Sequence, residues 1–104
     1  MDHVIVYMTA KGTDEAKRIA DALVTEKLAA CVNILATMDS VYIWKGEKAC
    51  EKEVPFLAKT KKTLVPELIK RVKELHSYDT PCIVVLPILG GNPDYLKWLD
   101  KNTR

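Results

Sequence analysis

The stretch RVKELHSYDTP, residues 71–81, ends a run of helical period on a histidine. His76 can serve there as a metal ligand, as a general base, or as a cation facing the last carbonyls of a helix, an interaction that contributes ~0.3–1 kcal/mol. A ligand role needs two or three further donors. His3, Met8, Cys31, Glu53 and Asp79 are available, without any local ligand spacing among them. A base needs a pocket and an orienting partner; Tyr78, Glu53 and Lys59 supply these only if the strand bearing Glu53 and Lys59 meets the helix end at a cleft. Glu53 and Lys59 are six residues apart, hence on one face of a strand, where a cross-strand ion pair is the commoner outcome.

Other chemical signatures are missing. The GGNP segment lacks the spacing and terminal Lys-Ser/Thr of a phosphate loop, there is no G-x-S-x-G, and neither Ser40, Ser77 nor any cysteine has a histidine pattern announcing a nucleophile. Cys31, Cys50 and Cys82 are odd in number and far apart with no C-x-x-C pair, so they read as reduced, small apolar residues.

Composition narrows the class. A chain of 104 residues suits one domain, 1–104, with one core. Apolar residues make up 48% and charged residues 29%, and no segment reaches the ~18 uninterrupted apolar residues of a membrane helix. The net charge of +2 is scattered, unlike the clustered basic face of a nucleic-acid binder, so neither nucleic acid nor membrane is an expected partner. MDHVIVYM lacks the basic start and cleavage site of a signal peptide, which makes a cytoplasmic location the expectation.

The elements that would position these residues follow from period and punctuation. Val4–Tyr7 is a short β run, followed by AKGTDE with a potential N-cap at Thr13. From Ala16, Ile19, Ala20, Leu23, Val24 and Leu28 mark one face of a helix reaching about Leu28. Residues 31–45 alternate without helical period and read as one long strand bent near TMDS, turning at Gly46 into an antiparallel return leg over 48–60. Pro55 cannot donate to a ladder, so its strand is expected at an edge or bulged. Thr63 caps a second helix whose stripe is Leu64, Leu68, Val72 and Leu75, ending near Ser77. CIVVLPIL is nearly all apolar, as for a strand covered on one face and paired on both edges. Asn92 and Pro93 open a short third helix carrying Tyr95, Trp98 and Leu99. The order βαββαβ with a terminal α is ferredoxin-like, an α+β fold.

One length does not fit. A strand over residues 31–45 extends ~50 Å at about 3.3 Å per residue, while a compact domain of this size is only ~33 Å across. The hairpin must overhang, exposing Val41, Tyr42, Ile43 and Trp44 along an open edge. Either sister chains cover it in a closed symmetric oligomer, or the bend folds it back over its own core.

Several segments resemble the CutA family of divalent-cation tolerance proteins: KLAACVN at 27–33, SVYIWKG at 40–46, KT at 59–60, ELHSYDTP at 74–81 and GNPDYLKWL at 91–99. They span nearly the whole chain in family order. The resemblance implies a ferredoxin-like homotrimer in which strands of neighbouring subunits pair. It also implies an association with copper, Cu(I) or Cu(II), or another divalent cation. The family's copper ligands, a cysteine late in the first strand and two adjacent histidines ending the second helix, fall here on Met8, Leu75 and His76. Met8 and His76 are therefore the expected metal residues, a thioether and an imidazole, and binding is expected to be weak. Family likeness at Trp44, Glu53, Lys59, Tyr78 and Trp98 makes these five the candidates for an inter-subunit cleft.

The expected function is thus a non-catalytic, trimeric module of divalent-ion binding, tolerance or response, with a scaffold or signalling module that binds a small ligand or protein at the cleft as the alternative. An acylphosphatase-like hydrolase would need an arginine after the first strand, where TAKGTDE offers only Lys11. An RRM-like RNA binder would need aromatics near EVPFLAKT, where Phe56 stands alone.

Overall fold

The computed structural model describes residues 2–104. Five strands and three helices follow in the order β1 (His3–Ala10), α1 (Thr13–Thr25), β2 (Cys31–Ile34), β3 (Met38–Trp44), β4 (Glu47–Lys61), α2 (Val65–Leu75), β5 (Ile83–Ile88) and α3 (Pro93–Lys101). The sheet order is β2-β4-β1-β5, all antiparallel, with β3 pairing β4 beyond the end of β2. Each helical crossover skips one strand: β1 and β2 enclose β4, and β4 and β5 enclose β1. That is the ferredoxin-like arrangement.

Period-two alternation decides the two faces of the sheet. Val4, Val6, Met8 and Ala10 of β1, with Val54, Phe56 and Ala58 of β4, face α1 and α2 and are buried against Ile19, Leu23, Leu68 and Val72. Each fully buried side chain of this size stabilises the fold by about 1.5–3 kcal/mol relative to exposure. On the opposite face lies α3, held where His3 Nε2 meets Asp100 Oδ1 at 2.8 Å and Lys59 Nζ meets the Tyr95 hydroxyl at 3.4 Å.

Helix ends depart from expectation in instructive ways. Gly12, not Thr13, is the N-cap of α1, and no side chain caps it. The Glu15 carboxylate reaches back instead, past the N-cap, and accepts the Lys11 N–H at 3.2 Å. The helix stops at Thr25 rather than Leu28. Lys27 adopts φ 60°, Leu28 N–H donates to Leu23 C=O at 2.9 Å, and Lys27 N–H donates to Val24 C=O at 3.1 Å. This is a Schellman turn closed by the buried Leu23 and Leu28. Thr63 caps nothing; it lies in a 3-10 turn, Lys62–Leu64, that runs into α2. Asn92 caps α3 as its position predicts, its Oδ1 accepting the Asp94 N–H at 3.0 Å.

The long strand of residues 31–45 is two strands, broken at 35–37, slightly before TMDS. Its partner β4 is continuous over 15 residues. Pro55 is neither on an edge strand nor at a chain end, because β4 runs between β1 and β2. Leu35 N–H donates to the Pro55 carbonyl at 2.9 Å, so the side of Pro55 that lacks an N–H faces the break in the outer strand, where no ladder bond is lost. The hairpin does not fold back: the molecule measures 45 × 24 × 23 Å, and β3 with the first half of β4 forms the projection. Its two-residue turn, Lys45 at φ 50° and Gly46 at φ 82°, matches the type I′ twist that keeps the strands together.

Strand β5 corrects a further expectation. It pairs only with β1, and its outer edge has no neighbour among the described residues. Val84, Val85 and Leu86 are exposed on it.

Candidate functional site

The end of α2 is fastened by three contacts from other elements, one from β1 and two from α1, besides two local ones. His76 is its C-cap, with N–H donating to Val72 C=O at 2.8 Å. The imidazole Nδ1 accepts the Tyr78 N–H at 3.1 Å; since a backbone N–H can only donate, the ring proton sits on Nε2, which donates to the Thr9 carbonyl at 2.8 Å. Glu15 accepts the Ser77 N–H at 2.8 Å, and Arg18 donates to the Leu75 carbonyl at 3.0 Å. Burial alone would raise the Glu15 carboxyl, but hydrogen bonds from Ser77 and Lys11 outweigh it and hold the group below its usual range. Sequence reading passed over Glu15 because an acid in a first helical turn is unexceptional; its three-residue spacing from the Gly12 N-cap was the available signal.

His76 is therefore neither a helix-end cation nor an open ligand: both ring nitrogens are engaged, and the ring is buried. The Met8 side chain is fully buried in the α1/α2 core beside Val6 and Ala10. The two do not make a donor set for copper in this geometry. Among the described residues no three His, Cys, Asp or Glu side chains are grouped to hold a metal.

The fastened helix end directs Tyr78 across the end of β1, where its hydroxyl donates to Glu53 Oε2 at 2.9 Å. Around this bond opens a cleft of about 700 Å³, within the ordinary range for small-ligand sites. Its floor is the sheet face opposite α1 and α2, carrying Tyr7, Glu51, Glu53, Met38, Tyr42 and Trp44; the loop bearing Tyr78, Asp79 and Cys82 forms its wall. Cross-strand register explains the gathering, because Met38 lies opposite Glu53, Ser40 opposite Glu51 and Trp44 opposite Glu47. Burial, then the Glu53 hydrogen bond and charge, push the Tyr78 phenol far up. Burial, then Glu53, raise the Cys82 thiol, which leaves it a poor nucleophile at neutral pH. Tyr7 is raised by burial, then by Cys82 and Glu53.

Of the five residues expected together, the cleft gathers Trp44, Glu53 and Tyr78. Lys59 and Trp98 lie elsewhere in the chain: Lys59 Nζ is 5.5 Å from the Tyr95 ring centre, and Trp98 stacks on that same ring at 5.5 Å. Glu53 and Lys59 share a face, yet the ion pair expected of them is absent, and each has a tyrosine as its partner. Tyr7, Met38 and Tyr42 were not anticipated. Met38 and Tyr42 share a face through the β3–β4 register that the hairpin turn sets, and Tyr7 joins it through the β1–β4 register.

Comparison with known proteins bears on this geometry directly. The family model described as CutA1 divalent ion tolerance protein matches residues 4–102. A divalent-cation tolerance protein CutA from Thermus thermophilus is 48% identical over 99 residues, covering 95% of this chain and 96% of its own length. Protein CutA 1, chloroplastic, of Oryza sativa is 43% identical over 101 residues, and Protein CutA, chloroplastic, of Arabidopsis thaliana is 41% identical over 101 residues. The chain covers 97% of itself in both matches but spans only 57% and 56% of those plant proteins' lengths. Among solved structures, Cut A1 from Thermus thermophilus superposes with a TM-score of 0.96 at 46% identity, covering 98% of this chain and 99% of that one. CutA1 from Oryza sativa superposes with 0.97 at 41% identity, covering 100% and 95%. The chain belongs to the CutA1 divalent ion tolerance protein family.

Proposed function

We propose that the chain acts as a homotrimeric, non-catalytic module in the cellular response to divalent metal ions. The observation that carries this reading is the pair of unfinished sheet edges. Strand β5 leaves Val84, Val85 and Leu86 41–51% exposed along an unpaired edge, and the projecting hairpin leaves Val41 and Ile43 exposed beside the free edge of β3. Such edges invite strand pairing between copies, and closed rotational symmetry satisfies every edge at once. Sedimentation equilibrium at micromolar concentration is expected to give a particle three times 11.7 kDa; a lone 11.7 kDa species overturns the assembly.

In this reading copper or another divalent cation is met weakly, by surface carboxylate and sulfur groups rather than by a His76–Met8 cage. Titration with cuprous and cupric ions is expected to give the same isotherm for wild type, His76→Ala and Met8→Ala, provided the variants remain folded. Loss of binding in either variant would restore the cage. Three cysteines without disulfide partners suit a reducing compartment, cytoplasm included, and none of the described helices is long and apolar enough to cross a membrane.

A further inference from the structure

Helix α1 has no basic side chain in its last turn. Its end nevertheless meets a cation, brought from 78 residues away in the sequence. Arg104 Nε donates to the Glu26 carbonyl at 2.9 Å, and the Arg104 N–H donates to the Lys27 carbonyl in the turn that follows at 3.1 Å. Carbonyls at a helix C-terminus carry partial negative charge, so a guanidinium there is favoured by the helix dipole as well as by its hydrogen bond. Another nitrogen of the same fork, Nη1, donates to Glu67 Oε2 at 2.9 Å.

Glu67 belongs to a stripe of α2 with Arg71 and Glu74, at i, i+4 and i+7 on one face. Arg71 Nε lies 3.0 Å from both oxygens of Glu26, and its Nη1 reaches Glu74 at 3.3 Å. Glu26 is thus tied to α2 through its carboxylate and to Arg104 through its carbonyl. The segment bearing Arg104 comes from α3, on the opposite face of the sheet. Thr103, 7% exposed, donates its hydroxyl to the Leu99 carbonyl at 3.0 Å, and Lys61 Nζ donates to the Arg104 carbonyl at 3.0 Å. Residues 102–104 therefore pass around the His3–Lys61 end of the sheet and join α3 to the α1/α2 layer. This end lies opposite the projecting hairpin, and none of these contacts uses the β3 or β5 edge at which copies would meet.

We propose that residues 102–104 form a strap that holds α3 to the far layer by capping α1, and that α3 undocks as a unit when Arg104 releases the end of α1. Against the sheet itself α3 has a small hold. Leu99 is its one buried residue, the His3–Asp100 contact at 2.8 Å lies beside it, and Tyr95 and Trp98 are exposed. An element with few buried apolar side chains opens at low free energy, and a single exposed ion pair adds little to it. Arg104 combines two charge-assisted bonds with a backbone bond and reaches two helices at once, so its release removes all three together.

Hydrogen–deuterium exchange on the intact protein tests the strap by comparing wild type with Arg104→Ala. Amides of 96–102 are expected to exchange about three- to tenfold faster in the variant, and those of 28 and 29 faster by about two- to threefold, while β1 and residues 54–60 stay unchanged. Trp98 emission, read in a Trp44→Phe background, should become more accessible to acrylamide. Arg104→Lys keeps the charge but cannot reach the Glu26 carbonyl and Glu67 together, so it should fall between the two. Unchanged exchange over 96–102 overturns the strap, because α3 would then be held by the sheet or by another copy. Faster exchange along the whole chain, β1 included, overturns it as well, since Arg104 would then support the fold rather than α3. Sedimentation of wild type and variant should not differ; a change in assembly would place Arg104 in the contact between copies and also overturn the strap.

Discussion

Around His76 each ring nitrogen has a partner, whereas two residues further along the chain Tyr78 enters a cleft where Glu53 is buried with the Tyr78 hydroxyl as its partner while Glu51, Tyr42 and Trp44 are exposed. The first region spends its polar groups on itself. Glu15, Arg18, His76 and Ser77 hold the end of α2 to the start of α1 and to the last turn of β1. The second sets Glu51 and Glu53 on a strand whose first half projects beyond the core, with the Tyr78 hydroxyl bonded to Glu53. A reactive residue type is thus a weaker guide to function than the state of its lone pairs: the histidine that attracts attention has both nitrogens committed, whereas Glu53 of an unremarkable charged run has one hydrogen bond, from Tyr78.

Several measurements would sharpen or break this contrast, and the largest effect should come from the closed region. His76→Ala removes a buried ring with two hydrogen bonds and leaves the Thr9 carbonyl and Tyr78 N–H unpaired, so we expect a loss of about 2–4 kcal/mol in chemical denaturation. A loss under about 0.5 kcal/mol would mean that the junction is not a fastening at all. Glu15→Gln should cost about 1–3 kcal/mol at pH 7. Because the folded Glu15 carboxyl titrates below its ordinary 4.5, its contribution is complete above that pH and fades as the pH falls through the folded value. The variant should therefore lose that acid-side decline; an unchanged profile would remove Glu15 from the junction.

In the open region Tyr78→Phe deletes one hydroxyl. It should cost only about 0.5–1.5 kcal/mol in chemical denaturation, because a single hydrogen bond to Glu53 is lost. The smallest effect belongs to neither region. Lys27 holds φ 60° in the turn after α1, a conformation glycine adopts without strain, so Lys27→Gly should change thermal stability by about 1 kcal/mol or less, in the stabilising direction.

Most elements were legible from period and punctuation, and the failures share one cause. The Asn92–Pro93 start of α3 and the Leu64, Leu68, Val72 and Leu75 stripe of α2 depend on neighbours close in sequence, and they match the structure. The pairing on both edges expected for CIVVLPIL, residues 82–89, fails because an apolar run tells that a strand is covered and not which of its edges is paired. The Thr13 cap fails because the N-cap falls one residue earlier, at Gly12, and the Thr63 cap because a 3-10 turn runs into α2. At the site, the hairpin acids were visible as an alternating pattern in EKACEKE. Their convergence with Tyr7 and Tyr78 was not, since it depends on the Met38–Glu53 and Tyr7–Leu57 registers together. His76 was found by residue type, but its two hydrogen bonds come from backbone groups at Thr9 and Tyr78, which no side-chain pattern announces.

Strand β4 takes part in two ladders at once: its first half with β3 alone, its second half with β1 and β2, and Pro55 stands close to the junction. It behaves as an axle whose two bearings are independent. The outer bearing stands on exposed side chains and the inner one on the core, so deuterium should enter the amides of 47–52 well ahead of those of 56–60.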